Sequence, residues 1–182
     1  PLKLCTDATR IVQPGCQMTT ENPSPNGTEI PNVSLGFIED GEIKSISTVE
    51  YFSGPKTLAI CIPGAFMPVC TAQHIPDFVN STYQLRMAGY RKLVCIVPND
   101  PFVTQAWSRI VDPKGHLIFL SDGNLELARA FGVTKSIKSL FVGERPQRYM
   151  FVTQHSHVHR FQVEPDILTL SRTRAIDALN AA

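Results

Sequence analysis

Three short apolar runs do most to limit what this chain can fold into: KTLAICI at 56–62, KLVCIV at 92–97 and LIFLSD at 117–122. Each is too short for a helix and too continuous for a half-exposed strand, so each reads as a strand buried on both faces. The segments between them change period. In TAQHIPDFVNSTYQLRMAGY, Ile75, Phe78, Val79, Leu85 and Met87 recur at helical spacing; Pro76 should kink or interrupt that helix and Gly89 end it. PFVTQAWSRIV at 101–111 reads as a helix with proline in its first turn, and a third helix is expected from Asn124 to Phe131, closed by Gly132.

The flanks complete the pattern. VSLGFIEDGEIKSISTVEYF places the turn signal EDG between two alternating segments, which predicts a hairpin. RYMFVTQ and HVHRFQVE predict a second hairpin, and the tail from Asp166 to Ala182 reads as a helix. Strand, helix, strand, helix, strand, helix, hairpin, helix is the order of an α/β protein with one mixed central sheet flanked by helices. A thioredoxin-like fold satisfies it better than a doubly wound domain, because the closing hairpin is antiparallel. Residues 1–29, with PGCQMTTENPSPNGTE, read as an N-terminal arm, extended or poorly structured, ahead of a domain over 30–182.

Composition excludes several functions. A net charge of +1 gives no electrostatic case for nucleic acid or an anionic membrane surface, and no apolar run approaches a membrane span. Neither GxGxxG nor GxxxxGK[ST] occurs, which argues against a nucleotide cofactor. The cysteines Cys5, Cys16, Cys61, Cys70 and Cys95 form no CxxC, so neither a zinc ribbon nor a thioredoxin-type dithiol is indicated. A reducing compartment fits them best, with Cys61 and Cys95 as inert buried thiols. The chain begins at Pro1, read as a processed or trimmed start; cytoplasmic and mitochondrial or other organellar locations both fit. His155, His157 and His159 alternate, but no fourth ligand accompanies them, and a polar hairpin face is the plainer reading than a metal site.

Chemistry concentrates at PGAFMPVC, Pro63 to Cys70. The thiol falls where a strand ends and a helix begins. Free first-turn N–H groups and the positive end of the helix dipole favour a thiolate there, and the same N–H groups suit a small oxyanion or peroxide oxygen. The plain alternative is a cysteine that merely starts a helix; Pro63 and Pro68, which stiffen and shield the loop, speak against it.

PGAFMPVC followed by TAQHIPDF resembles the active-site segment of the type-five peroxiredoxins, atypical thiol peroxidases of the redoxin superfamily, whose pattern is PGAFTPxCSxxHxPxF. Pro63, Gly64, Ala65, Phe66, Pro68, Cys70, His74, Pro76 and Phe78 match it. The likeness continues through VPNDPFV, Trp107, LSDGN, Ser139-Leu-Phe and Arg148 into VEPD, and so covers about residues 30–182. It implies an antioxidant redox enzyme in which Cys70 is the peroxidatic cysteine, attacking hydrogen peroxide or an alkyl hydroperoxide to give a sulfenic acid. It implies that Arg148, otherwise readable as a surface arginine on a hairpin, stabilises thiolate and peroxide. Pro63 would exclude water from the thiol, and Val69 and Cys70 would offer backbone N–H groups. Phe66, Ile137 and Phe141 would line an apolar mouth, first as core and then as pocket wall, and His74 would sit behind the thiol rather than move protons. No metal or organic cofactor is implied; a homodimer is.

Two departures matter. Met67 stands where the family has a threonine or serine hydroxyl, so one reading is a peroxidase-impaired redox sensor or thiol-dependent interaction module. Thr71 is a possible substitute donor. Family members often carry a resolving cysteine shortly after EPD; here Leu170 and Ser171 occupy that region. The chain therefore resembles one-Cys members, whose sulfenic acid is reduced by glutathione or by a glutaredoxin- or thioredoxin-like protein.

Overall fold

Where the chain accepts left-handed backbone, it turns, and these points frame the strands of the computed structural model, which describes residues 24–180. Asp40 and Gly41, with φ of 52° and 81°, fold β1 (Ser34–Glu39) back onto β2 (Glu42–Ser47). Two successive positive φ values are the hairpin geometry that follows strand twist, as EDG predicts. After the short α1 (Thr48–Tyr51) come the buried β3 (Thr57–Cys61), α2 (Ile75–Asn80), α3 (Thr82–Met87), β4 (Lys92–Val97) and α4 (Pro101–Val111). Asp100 caps α4, accepting the N–H groups of Phe102 and Val103. β5 (Ile118–Ser121) leads into α5 (Glu126–Ala130), β6 (Thr134–Ser136) and β7 (Glu144–Pro146), and β8 (Tyr149–Gln154), β9 (His157–Val163) and α6 (Ala175–Leu179) complete the chain.

The seven-stranded sheet has the order β2-β1-β5-β4-β3-β8-β9. β3, β4 and β5 pair in parallel, while β8 joins β3 antiparallel and β9 joins β8. This is the mixed sheet expected. Alternation along the strands splits the core in two. On one face Leu58, Ile60, Cys95, Val97 and Met150 pack with Cys70, Phe78 of α2, Trp107 of α4 and Ala178 of α6. On the other, Ala59, Cys61, Val94, Ile96 and Phe151 pack with Phe52, Leu127 and Ala128. Helices thus cover both faces, and Cys61 and Cys95 are interior thiols whose burial pushes their pKa values up.

Two sequence expectations need correction, and one element was not foreseen. The helix after Cys70 breaks at Ser81, not at Pro76: Thr82 turns its hydroxyl onto the carbonyls of Phe78 and Val79. Pro76 is accommodated because the preceding turn, Cys70–His74, is a π-turn, wide enough for a residue that has no N–H to donate to it. The tail is not one helix from Asp166. Residues 166–174 form a loop and only α6 is helical: Asp166 accepts Leu168 and Thr169 N–H as a helix cap would, but Glu164, from outside the segment, takes the N–H groups of Ser171, Arg172 and Thr173 that a continuing helix would need. The two-stranded ribbon of β6 and β7 has no counterpart in the sequence reading.

Of the arm, residues 1–23 lie outside the described residues, Cys5 and Cys16 among them. Residues 24–29 run beside the start of β9, where Gly27 N–H donates to the Val158 carbonyl at 2.6 Å and Val158 N–H to that of Thr28 at 2.8 Å. His155 sits in the β8–β9 turn with φ of 51°, and His157 and His159 are exposed on β9.

Candidate active site

The loop leaving β3 is fixed before it reaches the thiol. Pro63 and Gly64 are buried, and Ala65 N–H donates to Asn99 Oδ1 at 2.9 Å. Asn99 is itself held, its carbonyl accepting the hydroxyls of Thr104 and Ser121. Phe66 takes a left-handed conformation, φ 60°, which swings the chain into a helix start. The Met67 carbonyl accepts the first helical bond, from Thr71 N–H at 2.9 Å, so Met67 is the N-cap and Pro68 the first helical residue, where a missing N–H costs nothing. Val69 and Cys70 fall in the first turn, whose N–H groups have no intrahelical acceptor. The helix then widens, with Ile75 N–H reaching back to the Cys70 carbonyl. Cys70 is fully buried.

Arg148 arrives from the opposite side, from the position just before β8. It is fully buried, and its guanidinium makes four contacts: Nη1 to Cys70 Sγ at 3.3 Å and to His74 Nδ1 at 2.9 Å, Nη2 to the Ile167 carbonyl at 3.0 Å, and Nε to the Thr169 carbonyl at 3.3 Å. Neither ion pair among the described residues involves it. The contacts of this buried cation among the described residues are thus two carbonyls, an imidazole and a thiol, with no carboxylate in direct contact.

The imidazole's role follows from its neighbours. Guanidinium only donates, so His74 Nδ1 accepts; Nε2 then carries the proton and donates to the Thr173 carbonyl at 2.7 Å. Burial, and then the Arg148 charge, push its pKa down from 6.5 to about 3. The ring is neutral and sits between the Arg148 guanidinium and the Thr173 carbonyl. The unfolded chain protonates this histidine near 6.5 and the folded one only near 3, so its contribution to stability is complete above about 6.5 and is lost as pH falls toward 3. The slope is about 1.4 kcal/mol per pH unit. His74→Gln keeps an acceptor and a donor without the titration. Urea unfolding between neutral pH and about pH 4 should therefore show a flatter decline in the variant; an unchanged slope would exclude His74 as its source.

Glu164 closes the arrangement. The residue is 1% exposed, and its carboxylate accepts from Ser171 N–H and Oγ, Arg172 N–H, and Thr173 N–H and Oγ1, all between 2.7 and 2.9 Å. Burial pushes the carboxyl up, but these donors outweigh it and hold it below the usual range.

The sequence-predicted residues separate into two groups. Cys70, Arg148 and His74 meet directly, while Pro63, Met67 and Val69 build the loop that holds the thiol. Met67 is half-buried against the thiol's core cluster, and its sulfur occupies the space beside Gly64, 3.2 Å from where a Cβ on that glycine would lie. Thr71 Oγ1 accepts the Trp107 indole N–H at 3.2 Å, which fixes the hydroxyl's position and leaves its own O–H free to donate. The apolar residues differ from expectation. Phe66 is 55% and Phe141 97% exposed, so neither is core; both sit at left-handed positions that throw the ring outward. Ile137 lines a cavity of about 270 Å³ with Lys135, Leu140, Ile167 and Leu168. That cavity borders the site through Ile167, whose carbonyl holds Arg148. Sequence reasoning missed Glu164, Thr173 and the two loop carbonyls; the VEPD motif was the only signal for them.

The Redoxin family model matches residues 25–179. Chloroplastic Peroxiredoxin-2E-2 of Oryza sativa subsp. japonica is 33% identical over 143 residues, which are 76% of this chain and 64% of the rice protein, so the chain spans just under two thirds of that relative. Peroxiredoxin-2C of the same species is 31% identical over 140 residues, 76% of this chain and 86% of its own length. Among solved structures, reduced Prx3 of Vibrio vulnificus in complex with hydrogen peroxide superposes with a TM-score of 0.80 at 27% identity, covering 86% of this chain and 97% of that one.

Proposed function

The chain belongs to the peroxiredoxins of the redoxin superfamily, thiol-dependent peroxidases, and from that premise we propose that Cys70 is its peroxidatic cysteine. The contact between the buried Arg148 guanidinium and Cys70 Sγ carries this reading. Sulfur attacks the terminal peroxide oxygen; an S–O bond forms, the O–O bond breaks, and the departing oxygen takes a proton to leave as water or an alcohol. Sulfur is oxidised to a sulfenic acid and the peroxide is reduced. Arg148 favours the thiolate beforehand and donates to the oxygens as negative charge moves onto them. The first-turn N–H groups of Val69 and Cys70 hold the attacked oxygen, and Pro63 keeps water out. Ile137, Phe66 and Phe141 supply the apolar approach for an organic peroxide.

The sulfenic acid is then reduced by an external thiol: one thiol forms a mixed disulfide and releases water, and a second releases the cysteine. The other two described cysteines, Cys61 and Cys95, are buried within β3 and β4, and Leu170 and Ser171 occupy the loop after EPD, which supports a one-Cys cycle. Glutathione or a glutaredoxin- or thioredoxin-like protein fits that role. The exposed rings of Phe66, Phe102 and Phe141 support a homodimer. We place the catalytic domain at residues 30–182 and the arm at 1–29, in an intracellular compartment, cytoplasmic or organellar as for the chloroplastic rice relative.

A second reading has a specific observation behind it. Met67 packs a thioether, which has no hydrogen to donate, beside Gly64 in the loop that holds the thiol, so the protein would act as a slow sensor rather than a scavenger. The first test serves both. One equivalent of peroxide added to reduced protein should raise the intact mass by one oxygen, located at Cys70, and Cys70→Ser should abolish the change. An unmodified Cys70 in the wild type would overturn the assignment.

A further inference from the structure

We propose that Glu164 is a positioning residue for the Cys70 chemistry: by gathering the 171–173 backbone onto its carboxylate, it fixes the loop whose carbonyl oxygens aim Arg148 at the thiol. This rests on the reading of Cys70 as the reacting group.

Arg148 is aimed by acceptors, and three of them depend on one irregular segment. Ile167 and Thr169 supply carbonyls directly, and Thr173 supplies the carbonyl that orients His74, which in turn accepts from Arg148. No helix or strand runs through 166–173 to hold those carbonyls in place. Asp166 ties the first part of the segment, through Leu168 and Thr169 N–H, and Glu164 ties the last part through five bonds.

Glu164 is well placed to be the reference point. Its own N–H donates to the Arg148 carbonyl at 2.8 Å, one step beyond the Tyr149↔Val163 pair of the β8–β9 ladder. The residue that carries the guanidinium and the residue that carries the carboxylate are therefore backbone neighbours across the sheet. Yet the two side chains make no ion pair. The carboxylate's oxygens are taken up by N–H and O–H donors of the loop, so they make no direct bond to the guanidinium. One buried carboxylate thereby sets the loop and leaves the Arg148 N–H groups to the thiol, His74 and the loop carbonyls.

A misplacement of about 1 Å in a catalytic group costs on the order of a hundredfold in rate. Glu164→Ala, which leaves three N–H groups and two hydroxyls without their acceptor, should lose about that much in the second-order rate with hydrogen peroxide. The pH midpoint for alkylation of Cys70 by a small alkylating agent, followed by peptide mass, should move up. Glu164→Gln keeps an oxygen where Oε1 accepts the three N–H bonds and should retain most of the rate and the wild-type alkylation midpoint. A folded Glu164→Ala with both readouts unchanged overturns the proposal; so does a Gln variant as impaired as the Ala one, which would make charge rather than loop geometry the operative property. If circular dichroism shows Glu164→Ala unfolded, Glu164→Asp is measured instead. Its carboxylate is withdrawn by one methylene, and both readouts should shift in the same direction; unchanged values overturn the proposal equally. Alkylation does not need peroxide. Should the wild type prove inert to peroxide, the peroxidase reading falls while the alkylation midpoints still decide the role of Glu164.

Discussion

Arg148→Lys should slow the reaction of Cys70 with hydrogen peroxide by on the order of a hundredfold or more, although the variant keeps its positive charge. The reason is geometric. Guanidinium reaches four acceptors from one plane: the thiol, the His74 ring and the carbonyls of Ile167 and Thr169. An ammonium has three donors around a single nitrogen and cannot span acceptors spread across the residues of a helix and a loop. It will settle on the carbonyls or on His74, and the thiol will lose the donor that is aimed at the reacting oxygens. Stopped-flow rates with peroxide, read beside far-ultraviolet circular dichroism to establish folding, test this. Had Arg148 acted by charge alone, lysine would retain most of the rate; a loss of less than about threefold, against the hundredfold typical of a lost oriented donor, would show that orientation is unimportant here. Lysine also leaves a buried carbonyl short of a donor, at about 1–3 kcal/mol. The variant should therefore unfold at lower denaturant as well, a separate effect that does not scale with the rate.

That arginine illustrates what the amino-acid order reveals and what it withholds. The strands were legible because β3 and β4 are buried on both faces and so are continuously apolar, and β5 carries the same apolar run although Ile118 is exposed. The two hairpins were legible as alternating segments around turns, although His155 and Ser156 adopt positive φ with no glycine to announce it. Cys70 was legible from its place between a strand end and a helix start; the roles of His74 and Arg148 were recoverable only from the register of a familiar motif. Nothing in a 78-residue separation says that residues 70 and 148 touch; the sheet brings them together by placing β8 beside β3. The 166–174 loop was misread for a related reason. Its composition allows a helix, and the residue that prevents one, Glu164, lies just past the end of β9 and acts through a side chain. Phe66 and Phe141 were assigned to the core on hydrophobicity, whereas their backbone conformations turn them to solvent. Long-range polar contacts and local backbone handedness are the two properties that periodicity does not encode.

Met67→Thr is the substitution expected to improve the enzyme. The Met67 carbonyl accepts the first bond of the helix that carries Cys70, which makes residue 67 the N-cap. Methionine has no oxygen to satisfy the first-turn N–H groups. Threonine at an N-cap ordinarily accepts one of them, worth about 1 kcal/mol, and its O–H remains free to donate toward the thiolate or a bound peroxide one turn away. Losing a donor aimed at developing charge costs on the order of a hundredfold, so restoring it should raise the second-order rate with peroxide by about that factor. Stability should change little, because the cap offsets part of the packing lost where the half-buried thioether leaves the space beside Gly64. The double variant Met67→Thr with Arg148→Lys separates the two donors. If each acts independently on the same oxygens, the rate returns close to that of the wild type; if the hydroxyl works only when Arg148 holds the peroxide, the double variant stays as slow as Arg148→Lys alone. A single variant no faster than the wild type would mean that the backbone N–H groups and Arg148 already supply what the hydroxyl would, and the reading of this protein as an impaired sensor would lose its support.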